Sequence, residues 1–381
     1  MLHVLALPGW YPSKLSPYNG DFVQRHLQAI ALECKVTAIY VLQDSTFKLK
    51  EIEKRENGNL TEYFFYIPAR KSIIGKWYSY LTYYQCINTL VKKIKKEQHI
   101  DLIHIHVVKV NGLYALFKKL IKHQKYLITE HSTEYIDGRW DHYSRLKKWL
   151  IKKIFVNAQA VNCVSKYLQQ QLEHKIGKGL TISVIPNVVN TNIFYPLEQE
   201  NHYPPLRFIH ISSLNDQKNI PFILEGFRLL NETGRLFHLT IVGPSGMGLE
   251  ERLAEMKLSE KITRLNEMPQ PQLATNIQQS DVLVLFSKYE TFGCVIIEAM
   301  ACGKPVIVND LPVMKEIVIN GMNGMICPND NIHAFVGVLI DFIDKPTLFQ
   351  KDLICQNVNK KYSYHVVAKQ FLSSYKKTLS Q

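Results

Sequence analysis

Residues 287–307 of the chain read SKYETFGCVIIEAMACGKPVI, and this stretch decides the fold. The apolar run DVLVLF at 281–286 predicts a strand that ends at Ser287. A periodic apolar run that begins at Cys294 predicts a helix, and Gly293 stands at its start. A short buried strand followed at once by a helix is typical of a parallel α/β sheet.

The start of this helix has the features of an anion site. Backbone N–H groups in the first turn of a helix have no intrahelical partner and carry partial positive charge, so they can hold a diphosphate. The glycine at this turn lets a phosphate approach closely. The residues predicted to hold the diphosphate are Phe292, Gly293, Cys294 and Val295, and Thr291 before them belongs to the same predicted binding site.

Two glutamates, Glu290 and Glu298, lie on either side of this turn. Glu298 follows Cys294 by four residues, and helical side chains lean toward the N-terminus, so its carboxylate points back at the turn. A carboxylate accepts two hydroxyl hydrogen bonds, which suits a ribose. Glu290 would face the other end of a diphosphate, where the hydroxyls of a donor sugar lie. Taken alone, the two glutamates would be explained equally well as a solvated helix residue and a loop charge, without any ligand.

The stretch as a whole resembles the E-x7-E signature of retaining glycosyltransferases of the family 4 type, which have the GT-B fold. The resemblance extends over nearly the whole chain. It implies an α/β protein with two doubly wound, parallel-sheet Rossmann-like domains that face each other across a cleft. It also implies that a hexose-type sugar moves, with retention of configuration, from a nucleotide sugar such as a UDP- or GDP-sugar to a glycan or lipid-linked acceptor.

Alternating strand and helix patterns agree with that fold. We predict domains at 1–189 and 190–361, a polar linker at 190–206, and a terminal helix within 362–381 that packs back on the first domain. Predicted strands lie at 3–8, 35–42, 61–68, 101–108, 125–131, 160–165, 207–213, 237–243, 262–267, 281–286, 305–310 and 325–328.

The segment IHISSLNDQKNIPFI at 209–223 resembles a loop in which family members carry G-R-L followed by a lysine. Both cations of that motif hold the donor pyrophosphate. Lys218 matches the lysine, whereas Ser212 and Ser213 replace the glycine and the arginine. The resemblance therefore gives Lys218 a catalytic and donor-binding role. The alternative is a surface lysine at a helix start, where its charge is mildly unfavourable.

Two further segments match the family in the first domain. SPYNGDFVQRHLQAIA at 16–31 resembles a glycine-containing loop that lies against the donor phosphate and the acceptor. Gly20 matches one of two adjacent glycines, and we expect Asn19 to supply the second permissive backbone conformation. ITEHS ends a predicted strand, and His131 in it matches an active-site histidine that contacts the donor sugar or the departing oxygen.

The predicted catalytic residues are thus His131, Glu290 and Lys218. The chain has no D-x-D pair to hold a divalent cation. His104 and His106 alternate on one predicted strand and face the same side, but no third ligand has a fitting spacing, so the sequence predicts no metal site. The negative charge of the diphosphate would then be stabilised by Lys218 and by the helix start near Gly293.

Charge is concentrated in the first half, because residues 1–190 carry a net +14 and residues 191–381 a net −1. Two stretches, Arg70–Lys96 and Arg139–Lys153, interleave basic residues with Trp and Tyr. This pattern favours contact with an anionic membrane surface. The alternative is two amphipathic helices whose aromatic side chains pack inward.

The sequence shows neither an apolar run long enough to span a membrane nor a recognisable signal peptide. Its seven cysteines include no C-x-x-C pair, which indicates reduced thiols in the core. We therefore expect a cytoplasmic protein that is peripheral on the inner face of the cell membrane. A nucleotide-sugar epimerase or phosphorylase would share the fold. A non-catalytic membrane or nucleic-acid binder would fit the basic charge, but the sequence has no nucleic-acid motif, and we expect no nucleic-acid partner.

Overall fold

A computed structural model describes residues 1–70, 72–177, 179–198, 204–245, 248–345 and 349–380, without the side chains of Ile73 and Lys76. It divides into two compact units: unit 1 comprises Met1–Val188 with Tyr364–Gln381, and unit 2 comprises Val189–Ser363. The sequence places this boundary between residues 189 and 190. Residues 199–203 of the expected linker lie outside the described residues.

The strands alternate with helices along the chain. In chain order the strands are β1 His3–Pro8, β2 Lys35–Asp44, β3 Glu51–Asn57, β4 Leu60–Pro68, β5 Leu102–His106, β6 Tyr126–Glu130, β7 Ala160–Cys163, β8 Ile182–Val184, β9 Leu206–Ile211, β10 Phe237–Val242, β11 Ile262–Leu265, β12 Val282–Leu285, β13 Val306–Asn309 and β14 Gly324–Cys327.

The helices cover the faces of the two sheets. In chain order they are α1 Asp21–Ile30, α2 Ile73–Glu97, α3 Val110–Lys122, α4 Arg145–Asn157, α5 Lys166–Ile176, α6 Ile220–Glu232, α7 Leu249–Glu255, α8 Gln270–Gln278, α9 Cys294–Ala301, α10 Met314–Ile317, α11 Ile332–Asp344, α12 Lys351–Tyr362 and α13 Tyr364–Ser380.

Unit 1 is built on an eight-stranded sheet in the order β3-β4-β2-β1-β5-β6-β7-β8. Its strands are parallel except β3, which pairs antiparallel with β4. Helix α13 packs on α1 and completes this core with side chains that are fully buried, among them Val367, Phe371 and Tyr375. The last helix of the chain is therefore an integral part of unit 1.

Unit 2 is built on a six-stranded, wholly parallel sheet in the order β11-β10-β9-β12-β13-β14. Strands β9 and β12 are neighbours at the point where the strand order reverses. Parallel strands buried on both faces read as continuous apolar runs, which explains VLVL in β12 and VIV in β13. The reversal point of such a sheet is where ligands bind, just beyond the carboxyl ends of the strands.

All twelve predicted strands are present, with ends that differ by at most two residues. Two strands, β3 and β8, were not predicted. The β3 sequence EIEKREN is charged and mostly exposed because this strand lies at the sheet edge, where charged side chains discourage pairing with another chain. The β8 strand has only three residues, too few for a pattern. No disulfide joins any of the seven cysteines, all of which are described.

Candidate donor-binding site

The turn before α9 has the backbone expected of an anion-binding helix start. Gly293 is the N-cap residue, with φ 90° and ψ 67°, and no side chain among the described residues caps the helix. A Cβ at this position would lie 3.0 Å from Ile296 Cδ1, so a side chain would be both strained and crowded. The first amides of α9 are thus not covered by a capping side chain.

The residues around this turn divide by exposure. Phe292 is 3% exposed and packs edge-on against the Tyr362 ring, with centroids 5.7 Å apart. Its side chain therefore anchors the turn, and only its backbone can serve a ligand. The partly exposed residues of the predicted set are Thr291, Gly293, Cys294 and Val295.

Glu298 lies one turn into α9 and is only 3% exposed. The interpretation of this residue as a solvated helix glutamate is therefore wrong. A carboxylate is rarely buried unless it makes hydrogen bonds or pairs with a charge. Glu298 is thus a buried carboxylate one turn from Gly293.

Lys218 and Glu290 are in direct contact, although they lie 72 residues apart in sequence. The Lys218 ammonium donates to Glu290 Oε1, and the two side chains are 18% and 7% exposed. Ser287 Oγ donates to the same carboxylate oxygen at 3.0 Å. The structure thus places both predicted catalytic residues of unit 2 together, beyond the ends of the neighbouring strands β9 and β12. Lys218 is not a free surface lysine.

Three further bonds hold the loop after β9 against the loop after β12. The Gln217 side chain donates to the Tyr289 carbonyl at 2.9 Å, and the Lys288 N–H donates to the Gln217 carbonyl at 2.8 Å. On the exposed side, Lys288 Nζ pairs with Asp216 at 2.6 Å. These contacts fix the separation of the two loops, and with it the position of Lys218.

Asn309, at the end of β13, braces the same site and was not predicted. Its side chain accepts from the Ser287 N–H at 3.2 Å and donates to the Ser287 carbonyl at 2.8 Å. It also donates to Asn329 Oδ1 at 2.9 Å. The available signal was positional, since Ser287 and Asn309 are polar residues at the carboxyl ends of apolar parallel strands.

Ser212, which replaces the family's glycine, has a local role. Ser212 Oγ contacts His210 Nε2 at 2.7 Å and accepts from the Leu214 N–H at 3.1 Å. His210 Nδ1 bonds the Val284 carbonyl at 2.9 Å, and burial lowers the pKa of His210 to about 4. A neutral His210 therefore ties β9 to β12. Asn219 is the N-cap residue of α6, in a left-handed conformation without a side-chain cap.

Gly20 and His131 belong to unit 1. Gly20 is the N-cap residue of α1 with φ 77°, and a Cβ there would lie 2.5 Å from the Trp10 carbonyl carbon. Only glycine fits this position. The expectation for Asn19 is wrong, because Asn19 is not among the described residues with positive φ. A single left-handed residue is enough to turn the chain into α1.

His131 follows β6 and is 3% exposed. Buried Glu130 accepts from the backbone N–H groups of His131 and Ser132, both at 2.9 Å, and so fixes this strand end. The reason for rejecting a histidine cluster was wrong, because one ring nitrogen from each of His26, His106 and His131 lies within 4.8 Å of the others. The two residues that join His106, His26 and His131, come from other elements of unit 1 and not from a spacing along one strand.

Comparison with known proteins gives the family. A model described as "Glycosyltransferase Family 4" matches residues 34–193, and one described as "Glycosyl transferases group 1" matches residues 198–360. An uncharacterised glycosyltransferase of Methanocaldococcus jannaschii is 25% identical over 339 residues, which cover 88% of each chain.

Solved structures show the same architecture. Sucrose-phosphate synthase of Thermosynechococcus elongatus superposes with a TM-score of 0.78 at 18% identity, covering 99% of both chains. Anabaena HepE, solved in complex with UDP and glucose, gives a TM-score of 0.73 at 17% identity and covers 99% of this chain and 100% of its own. The chain, with its two parallel-sheet α/β units, is therefore a GT-B glycosyltransferase of group 1.

Proposed function

We propose that this chain is a retaining glycosyltransferase that moves a hexose-type sugar from a UDP- or GDP-sugar to a glycan or lipid-linked acceptor in cell-surface polysaccharide synthesis. The observation that carries the proposal is in unit 2. There the uncapped start of α9, the buried Glu298 and the Lys218–Glu290 pair lie beyond the carboxyl ends of neighbouring strands. A nucleoside diphosphate sugar is a ligand that needs all three features.

Each group has a place in the reaction. The amides of residues 292–295 and the Lys218 ammonium stabilise the charge that develops on the departing diphosphate. Glu298 accepts hydrogen bonds from the ribose, and Glu290 accepts them from hydroxyls of the transferred sugar. His131 hydrogen-bonds the sugar or the departing oxygen. The leaving phosphate assists deprotonation of the acceptor, so the mechanism needs no separate base.

The same arrangement lets the diphosphate be held without a divalent cation. The sequence contains no D-x-D pair. In unit 2 the positive groups that we assign to the diphosphate are the amides at the start of α9 and the Lys218 ammonium. Transfer is thus proposed to need no added magnesium or manganese. HepE, a protein of the same fold, was solved with UDP and with UDP-glucose, which supports a uridine nucleotide as the first donor to test.

Nucleotide binding tests this proposal. With UDP, GDP and their sugars supplied at about a hundredfold excess over Kd, the correct nucleotide should stabilise the protein by about 2.7 kcal/mol in a thermal-shift screen. Glu298→Gln should lose most of that shift, whereas Glu255→Gln, an exposed change on α7, should keep it. Release of free nucleoside diphosphate on addition of an acceptor, seen by thin-layer chromatography, separates transfer from epimerisation. No shift with any nucleotide would overturn the proposal.

Unit 1 has exposed apolar side chains that would suit contact with a membrane, where a lipid-linked acceptor would lie. Large apolar side chains are exposed on three helices: on α2 Trp77 is 69% and Leu81 58% exposed, on α3 Leu120 is 64% exposed, and on α4 Trp149 is 54% exposed. The alternative in which all aromatic residues of the two basic stretches pack inward is wrong for Trp77 and Trp149. It holds for others, since Tyr83 and Trp140 are buried.

The three helices are neighbours, and a lysine lies beside one of their exposed tryptophans. The Tyr84 hydroxyl on α2 donates to the Val110 carbonyl at the start of α3, and α3 packs on α4. On α4, Lys153 Nζ lies 5.8 Å from the centre of the Trp149 ring. We include in the proposal that this surface binds the anionic inner face of the cell membrane. In the described ranges no helix is long and apolar enough to cross a membrane.

Vesicle binding is expected to depend on this surface. The Trp77→Ser/Trp149→Ser protein should sediment with anionic phosphatidylglycerol vesicles about tenfold less than wild type, because two interfacial aromatic anchors are lost. Leu236→Ser is the control, since Leu236 is 61% exposed but lies in unit 2. Equal sedimentation of wild type with anionic and zwitterionic vesicles, at low and high salt, would contradict the membrane role.

A further inference from the structure

Three buried histidines meet in unit 1 from three different elements. His26 lies on α1, His106 ends β5, and His131 follows β6 directly. They are 0%, 0% and 3% exposed. One ring nitrogen from each lies within 4.8 Å of the other two. Histidine is the commonest protein ligand for a transition-metal ion, and three imidazoles in close proximity form a common ligand set.

The hydrogen bonds around the cluster are incomplete. Within the described part of the chain, His26 Nδ1, His106 Nε2 and His131 Nδ1 have no hydrogen-bond partner. Buried polar atoms are normally paired, so the unpaired Nδ1 of His26 points to an absent binding partner, whereas the nitrogens of His106 and His131 that face each other are Nδ1 and Nε2. The neighbouring His104 shows the contrast, because its two nitrogens bond the Tyr375 hydroxyl and Thr129 Oγ1, both at 2.7 Å.

The orientation of His26 fits a metal ligand. Its Nε2 lies 3.0 Å from the Pro186 carbonyl oxygen, which can only accept, so Nε2 carries the proton and Nδ1 presents its lone pair. A ligating histidine characteristically donates its other ring N–H to a backbone carbonyl or carboxylate.

The distance between the other two rings agrees with this geometry. His106 Nδ1 and His131 Nε2 are 3.3 Å apart, longer than a typical nitrogen–oxygen hydrogen bond of about 2.9 Å. Two zinc–nitrogen bonds of about 2.05 Å at a tetrahedral angle place their nitrogens about 3.3 Å apart. Asn187 stands beside His131, and its side-chain oxygen has no partner among the described residues.

We propose that His26, His106 and His131 bind one Zn²⁺ ion in unit 1. Three imidazoles leave the fourth tetrahedral position open to water or another oxygen ligand. Nitrogen ligands select zinc and its transition-metal neighbours over magnesium, so this ion is distinct from a cation that holds a diphosphate. It clamps α1 to the ends of β5 and β6 and fixes the ring of His131. The inference does not depend on the proposed transferase reaction.

Metal titration of the untagged, chelator-treated and dialysed full chain tests the inference. Co²⁺ should bind at about one equivalent per chain and give the intense visible bands of tetrahedral coordination, without the charge-transfer bands of thiolate ligands. Zn²⁺ should displace it and raise the melting temperature by about 5 °C, whereas Mg²⁺ should not. Weak octahedral bands, or binding well below one equivalent, would overturn the proposal.

Two variants locate the ion. His26→Gln should lose the Co²⁺ bands and the Zn²⁺-dependent rise in melting temperature, whereas the equally buried His104→Gln should keep both, because His104 is fully hydrogen-bonded elsewhere. Unchanged binding by His26→Gln would refute the assignment. If His26→Gln does not fold, the wild-type Co²⁺ spectrum decides by itself. Failure of the nucleotide screen leaves this measurement unaffected, so the two proposals fail separately.

Discussion

Replacing Lys218 by methionine is expected to lower kcat/KM for sugar transfer at least about a hundredfold and the free energy of unfolding of unit 2 by about 3 kcal/mol. Transfer fails because a cation is removed from the departing diphosphate. Stability falls because Glu290, whose side chain is 7% exposed, becomes a buried carboxylate without its counter-charge. Donor turnover and calorimetric unfolding measure the two effects.

A second variant separates them. In Lys218→Met/Glu290→Gln no charge is left unpaired, so unfolding should return to within about 1 kcal/mol of wild type while transfer stays lost. Lys288→Met is the stability control. It breaks an ion pair between the same two loops, but one whose side chains are 46% and 88% exposed, and should cost under about 1 kcal/mol. A double variant that transfers sugar at the wild-type rate would contradict the role of both residues.

Gly20→Ala is expected to destabilise unit 1 by about 4 kcal/mol and to abolish transfer. The alanine must hold φ near 77°, and its Cβ would meet the Trp10 carbonyl carbon and the Tyr11 nitrogen at 2.5 Å. Backbone atoms cannot move aside as a flexible side chain can, so the loop before α1 must shift. All four tryptophans lie in unit 1, and therefore tryptophan fluorescence during urea unfolding reports this unit.

Gly58→Ala provides the comparison for Gly20. Gly58 also has positive φ, at 57°, but nothing lies within 4 Å of its Cβ position. Its substitution should therefore cost only the backbone strain, about 1 kcal/mol, and leave transfer intact. Similar losses of stability in the two variants would show that crowding by Trp10 is not what selects glycine at position 20.

The fold was predictable because each buried parallel strand appears in the sequence as a short continuous apolar run. Runs such as VLVL in β12 are buried on both faces and stand out from the helices around them. The same rule fails for β3, whose alternating charges EIEKREN have no apolar run, and for the three-residue β8. An edge strand is held by the hydrogen bonds of its neighbour β4, which its own residues do not encode.

The candidate site was predictable only where its residues lie close together in the sequence, in one motif or around one helix start. Glu290, Gly293 and Glu298 lie within nine residues of one another, and a single helix start relates them. The direct Lys218–Glu290 contact, by contrast, depends on the adjacency of β9 and β12 in the sheet. Sequence places Lys218 on the donor phosphate and Glu290 on the sugar, but it does not show that they neutralise each other.

The histidine cluster shows the same limit more sharply. Spacing along β5 draws attention to His104 and His106, and their rings do lie side by side, with centroids 3.9 Å apart. Their hydrogen bonds differ, however, since His104 bonds Tyr375 and Thr129 while His106 faces His131. His26 joins the cluster from α1, 80 residues earlier in the chain. A search for ligands by local spacing finds only sites that lie on one strand or one helix. It misses those assembled from three.

The position of α13 has a consequence for the order in which the molecule forms during translation. Phe371 and Tyr375 belong to the core of unit 1, so the ribosome must synthesise unit 2 before that core is complete. Unit 2 can thus finish folding first, while residues 1–188 of unit 1 still expose the surface that α13 later covers. We expect these residues to need protection by chaperones until the last helix emerges from the exit tunnel.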